Sequence, residues 1–462
     1  MMRRSIFRFC IACVFLVAAC APVPQQNTAR NSVTPILTLP PMNTFTATQL
    51  RRVSRSNATI ANDFMALAFQ LESGRDLPVL SRFEGPISIR VTGNAPASLA
   101  PDLNNLLARL RREARLSISQ VAATQPANIT IEVISGNDLQ RLVPNAACFV
   151  APRVSSWSEF RRTRRSGIGD WTTLTERKTM SIFLPGDVSP QEVRDCMHEE
   201  LAQSLGPVND LYHLADSVFN DDNFHTVLTG FDMLILRAFY APELHSGMPP
   251  GHVAELLPGI LKRLNPAGGT VEAVFPFTTP KAWKEALGTA LGASGTSASR
   301  RNAAKRAVTI AQTQGWNDNR LAFSLFALGR LSLSSDGQLA LSSFQRAGEI
   351  YGSNPNTKLH AAHVAVQMAA YSLSTGHSQA AIDLVNQNIR AAMVAENASL
   401  LAALLMIKAQ ALDALGKHQE ARIIRLDSLG WARYGFGSEQ AVRSHLAEIA
   451  ALSPMNRSAK NR

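Results

Sequence analysis

The strongest constraint on this 462-residue chain lies between Ser189 and Met248. Ser189-Pro190-Gln191-Glu192 reads as a helix start. It offers a serine cap, a proline at the first helical position and a glutamate that completes a capping box. Val193, Met197, Leu201 and Leu205 then recur at helical spacing and define a core face. Cys196, Glu199 and Gln203 fall on a neighbouring face, and Gly206 predicts the stop. Behind this helix come Gly206-Pro207-Val208-Asn209-Asp210, then Ser217-Val218-Phe219-Asn220-Asp221-Asp222, then an apolar run from Leu228 to Tyr240.

The preceding residues supply a sheet for that helix. Ile60, Phe64, Leu67 and Leu71 predict a helix from about Asn57, with Gly74 as its stop. Ile87, Ile89 and Val91 alternate with polar residues as a half-buried strand does. Leu103, Leu106, Leu107, Leu110 and Ala114 predict an amphipathic helix. Ile129, Ile131 and Val133 give a second strand, residues 147–151 a short one carrying Cys148, and Met180, Ile182 and Leu184 another. Phe160-Arg161-Arg162-Thr163-Arg164-Arg165 reads as a basic loop, either solvated or set against an anionic surface with Trp157 and Trp171 as anchors.

The first residues set the address. Arg3, Arg4 and Arg8 form a basic region before the apolar run Phe9–Val17, which is too short to span a bilayer. It ends at Leu16-Val17-Ala18-Ala19-Cys20, which resembles the lipobox of bacterial lipoproteins. The resemblance implies cleavage before Cys20, its lipidation and a membrane anchor facing the periplasm. Ala21 at the next position resembles lipoproteins sorted to the outer membrane. The formal charge of +11 suits anionic surfaces, and the export signal argues against nucleic acid as a partner. Of five cysteines, Cys10 and Cys13 leave with the signal and Cys20 carries lipid. Cys148 and Cys196 remain as the one possible intrachain disulfide in an oxidising compartment. Two buried free thiols are the alternative.

After Met248 the sequence is punctuated by Pro and Gly up to Pro280. A helix over residues 281–291 precedes a hinge at 292–299. Beyond it Asp336-Gly337, Thr375-Gly376 and Leu415-Gly416 each precede small helical residues at a period of roughly 40. About three stacked helical hairpins fit between Arg300 and Pro454. They resemble tetratricopeptide repeats, whose usual period is shorter, about 34; a non-repetitive bundle is the alternative. Apolar content of 46% and charged content of 18% are those of a globular chain.

The central stretch resembles the metzincin pattern His-Glu-x-x-His-x-x-Gly-x-x-His, in which three imidazoles hold zinc and a glutamate serves as base. Registered on Glu199, the pattern places Glu200 at the base, Glu199, Gln203 and Asn209 at the metal positions, and Gly206 at the glycine. Ser217-Val218-Phe219 resembles the Met-turn, with Phe219 for Met. One carboxylate and two amides make a poor zinc set, so a retained cleft, with His198, Gly206, Asp210 and Phe219 around it, is expected without a cofactor. Cys148, Phe83-Glu84-Gly85-Pro86, Arg194-Asp195-Cys196 and the motifs of the central stretch are also similar to a family of bacterial lipoproteins called domain of unknown function 2927, over roughly residues 55–250.

The expected fold is an α+β zincin-like domain followed by an all-α helical-hairpin repeat domain. The expected plan is a signal peptide over 1–19, a flexible tether over 20–46, the α+β domain over 47–250, a linker with one helix over 251–299, the repeats over 300–455 and a basic tail over 456–462. The expected function is a lipid-anchored binding or assembly protein with a protein or peptide partner. An atypical metal-dependent hydrolase using Glu200 is the alternative.

Overall fold

The computed structural model describes residues 39–45, 53–144, 146–276 and 278–454. The expected signal peptide, Cys20, most of the expected tether and the expected basic tail lie outside them. No helix among the described residues is long and apolar enough to cross a membrane.

The first region opens with α1 (Asn57–Phe69), β1 (Ile87–Gly93), α2 (Leu99–Glu113), β2 (Ile118–Gln120) and β3 (Ile129–Ile134). It continues through α3 (Gly136–Leu142), β4 (Phe149–Pro152), α4 (Trp157–Thr163), β5 (Met180–Pro185), α5 (Pro190–Leu205), α6 (Gly230–Phe239) and α7 (Pro250–Leu264). The five strands form one sheet in the order β2-β1-β3-β5-β4. β1, β2, β3 and β5 are parallel, and β4 runs antiparallel to β5 along one edge.

Side-chain alternation divides the sheet into two unequal faces. Ile87, Ile89, Ile131, Ile182 and Leu184 meet Leu103, Leu107, Met197 and Leu201 in the main core, beneath α2 and α5. Phe183, on the opposite face, joins Trp157 and Ala151 with Phe149 and Phe160 in a small aromatic cluster. Trp157 stacks on Phe160 with ring centroids 5.4 Å apart. It is therefore a core residue, not a surface anchor for the basic loop. Arg161, Arg162, Arg164 and Arg165 stand at the surface just beyond it.

The second region is all helical: α8 (Lys281–Leu291), α9 (Ser297–Thr313), α10 (Asn319–Ser332), α11 (Gly337–Gly352), α12 (Lys358–Ser374), α13 (Ser378–Val394), α14 (Ala398–Ala414), α15 (His418–Gly435) and α16 (Glu439–Ala450). From α8 to α15 the helices pack in consecutive pairs, and α16 covers the end against α14 and α15. The expected linker holds two helices rather than one. α7 packs on α1 and α6 and so completes the first region. α8 packs on α9, and its Trp283 is fully buried in the helical core, donating to Ser324 Oγ at 3.0 Å. The helical array therefore starts near residue 281 and has four pairs.

The two regions share a broad interface. The loop between α5 and α6 sends Tyr212 and Phe224 into the helical core. Phe224 packs against Phe323, Phe326, Tyr351 and His360. Beside it the fully buried His360 bonds through Nε2 to Asp222 at 3.0 Å. At the other end Arg194 reaches Glu396, Gln191 bonds to Asn397 and Ser399, and the Tyr434 hydroxyl donates to Asp102. Residues 39–45, expected as the end of a flexible tether, lie against α15. The Asn43 N–H donates to Gly430 O, and Phe45 packs on Trp431.

Candidate functional site

The site is built on α5, and local chemistry fixes both ends of that helix. Ser189 and Glu192 form the capping box, with Pro190 at the first position. At the far end the buried guanidinium of Arg177 donates to the carbonyls of Gln203 and Gly206. These carbonyls have no partner within the helix, and a cation there also complements the helix dipole. Burial lowers the Arg177 pKa to about 10, still well above neutrality. The same guanidinium lies 5.4 Å from the centre of the Trp171 ring. In mid-helix a disulfide joins Cys196 to Cys148, just before β4.

Between α5, the edge of β4, the loop after α1 and the loop after α5 lies a half-open cleft of about 420 Å³. Glu199, Glu200 and Gln203 of α5 line it, with Asp210 and Asp221 from the following loop and Glu72 from the loop after α1. Trp171 forms an aromatic wall, and Phe149, whose ring belongs to the cluster on the far face of the sheet, borders the cleft at the β4 edge. Of the residues singled out from the sequence, Glu199, Glu200, Gln203 and Asp210 come together here.

The others stand elsewhere. His198 is buried against the start of α6, where its Nδ1 accepts from the Leu228 N–H at 3.2 Å. Burial, with Arg194 and Arg109 nearby, pushes its pKa far down, so it is a neutral packing residue. Gly206 touches the Phe239 ring, and a Cβ there would sit 2.8 Å from a ring carbon. Phe219 is fully buried in the main core. The turn carrying it is tied down by Asp232, which accepts from Ser217 Oγ and the Val218 N–H. Asn209 donates to Ala66 O, and its Oδ1 accepts from the Asp210 N–H. None of these four forms the wall of the cleft. Glu72, Asp221 and Trp171 do, and sequence reasoning did not select them for it.

The electrostatics follow from crowding like charges in a partly dry space. Burial raises Glu199 to about 7, helped by Glu72, Asp221 and Asp195. Burial and then Glu199 raise Glu200 well above the usual carboxylate range, although the Val150 N–H bonds to it. Asp210 is raised in the same way, by burial and then by Glu199, and shares a hydrogen bond with Glu72. That bond joins two carboxyl groups, so one must carry a proton. Asp221 accepts from the Tyr212 hydroxyl at 2.7 Å. Among the described residues, Glu200 Oε2 and Asp210 Oδ1 are buried without a hydrogen-bond partner.

The zinc implied by the metzincin resemblance does not fit this arrangement. The Asn209 amide is spent on the backbone, so the third metal position is closed. Among the described residues no three His, Cys, Asp or Glu side chains converge as a metal would require. Burial and the neighbouring Glu199 carboxyl raise the Glu200 pKa well above the usual carboxylate range, which disfavours the ionised form that a general base needs.

The molecule is thus a mixed five-stranded α/β region, with an acidic cleft on its longest helix, joined to an all-helical array. Residues 57–259 match the family described as a protein of unknown function, DUF2927. The match begins at the first residue of α1 and ends within α7. No curated protein and no solved structure matches the chain.

Proposed function

We propose that this protein is a lipid-anchored binding or assembly factor of the bacterial cell envelope. It is moored through Cys20 and faces the periplasm, on the outer rather than the inner membrane. Its α/β region is a zincin-like domain that keeps a cleft for a peptide or glycopeptide but not the metal chemistry. The observation that carries this reading is the cleft itself. Glu199, Glu200 and Gln203 line a cavity of about 420 Å³ in which one metal position is closed and burial raises the pKa of the carboxyl at the base position. A small sheet backed by one long helix and followed by a second helix bearing the site supports the zincin-like assignment. Paired helices with short turns support tetratricopeptide-like repeats. One face of the array is filled by the chain's own first region. A protein partner is therefore assigned to the exposed surface of the array, which carries Tyr371, Ile423 and Leu426.

Protein expressed from the full gene and purified without chelator tests the reading. We expect Cys20→Ser to abolish incorporation of labelled fatty acid. We expect no stoichiometric zinc and no hydrolysis of a peptide library, with saturable binding of some of its members. Stoichiometric zinc that disappears in Glu199→Ala, together with turnover lost in Glu200→Ala, would instead establish the hydrolase.

A further inference from the structure

The cleft holds more carboxyl oxygens than its own hydrogen bonds use. Glu200 and Asp210 are 5% and 7% exposed, yet each presents a buried oxygen without a partner among the described residues. They come from different elements, α5 and the loop after it, and both line the same cavity. Glu199 stands beside them, while Glu72 and Asp221 occupy the rim. An unpaired buried carboxyl oxygen costs free energy that a donor from outside would recover.

The donor's chemistry can be narrowed. A divalent metal needs several oxygens within about 2–2.6 Å of one point, and no three acidic side chains of the described residues converge so closely. An ammonium group instead sends three N–H donors outward to acceptors on separate side chains. Trp171 lines the cavity and offers a flat apolar surface suited to an aliphatic stem and to cation–π contact. Arg177 lies over the Trp171 ring and holds it in place.

We propose that this cleft binds a primary ammonium group carried on an aliphatic chain, either a free diamine or the lysine side chain of a peptide. The inference rests on the ligand-binding reading of the same cleft and names its ligand class. The ammonium sits against Glu200 and Asp210, its stem lies along Trp171, and Glu72 and Asp221 attract it at the mouth. The charged groups around this position are Glu72 after α1, Asp195, Glu199 and Glu200 on α5, Asp210 and Asp221 beyond it, and the Arg177 guanidinium against the Trp171 ring. Tyr212 is bonded to Asp221, and Lys284 of α8 partly offsets Glu72. Cation binding expels protons from this cluster, so it tightens as pH rises through about 7, where Glu199 ionises.

Calorimetry on the full chain tests this with cadaverine, an acetylated alanine peptide containing one lysine, and the same peptide with glutamine in its place. We expect saturable binding of cadaverine, of the lysine peptide, or of both, with proton release seen as a dependence on buffer ionisation enthalpy. Cadaverine alone identifies a free amine as the ligand; the lysine peptide identifies a polypeptide. Glu200→Gln and Asp210→Asn should each weaken binding roughly tenfold, while Glu159→Gln on the remote α4 should leave it unchanged. Absence of binding by both amines overturns the proposal, as does binding undiminished in the double variant. Displacement of cadaverine by one equivalent of zinc or calcium overturns it as well. Equal binding of the glutamine peptide defeats the cation inference but leaves the cleft reading standing; binding of no peptide and no amine defeats both. Should the carboxylate variants misfold, the tryptophan fluorescence of the unsubstituted protein serves: it must respond to cadaverine or to the lysine peptide, and a flat response to both overturns the proposal.

Discussion

A carboxyl group kept protonated by its surroundings leaves a mark on stability that can be measured without knowing any ligand. Glu199 titrates near 7 in the folded protein, against an ordinary value of 4.5. Its raised pKa therefore favours the folded state fully below about pH 4.5, and this contribution is lost as pH rises through about 7. Glu200 and Asp210, whose pKa values burial and Glu199 also raise, contribute with the same sign. The urea midpoint of the protein should fall between about pH 5 and 8, and Glu199→Gln should flatten that fall. At about pH 8 the variant should be more stable by on the order of 1–2 kcal/mol. A midpoint that rises over this range would contradict the crowded-carboxylate picture. At this scale the sequence was half legible. Glu199, Glu200 and Gln203 could be read because helical spacing phases them together. Glu72, Trp171 and Asp221 could not, because they come from loops that no periodicity orders. His198 misleads because it adjoins two glutamates in the text, while neighbours on a helix point about 100° apart. That rotation turns it toward Leu228.

Among the elements, α5 is the one held from every side: a capping box at its start, Arg177 at its end and the disulfide to the β4 edge between them. The bond spans 48 residues of sequence, so opening it should cost about 4 kcal/mol in the chain-entropy model. Urea unfolding with and without reductant measures this. Because Cys148 also lines the cleft, reduction should weaken any cleft ligand along with the fold. An unchanged midpoint would mean the helix ends alone set the geometry. The helix limits were legible through Ser189, Glu192 and Gly206, residues whose chemistry is local. α7 was not, although Val253, Leu257, Ile260 and Leu261 have helical spacing and are buried. Pro249, Pro250, Gly251, Pro258 and Gly259 look like loop punctuation, yet Pro250 stands in the first turn and Pro258 is carried within the helix.

At the level of the whole molecule, the two regions share their cores rather than merely touching. Phe224 leaves the first region and is buried among the aromatic residues of the second. Phe224→Ala should cost about 3–5 kcal/mol and should split a single calorimetric transition into two. One unbroken transition in the variant would show that the polar contacts at Arg194, Gln191 and Tyr434 suffice to couple the regions. Nothing in the sequence announced this junction. Phe224 follows a polar run, Asn220-Asp221-Asp222-Asn223, which reads as surface loop, and its partners lie about 100 residues or more away along the chain.

That ring also makes a statement about ancestry. The DUF2927 match stops at residue 259, well before the helices that cover Phe224. A kindred chain bearing this unit without the helical array must either carry a polar residue at the corresponding position or recruit a second polypeptide to shelter it. The side chain there should thus record, lineage by lineage, whether the two halves have been inherited together.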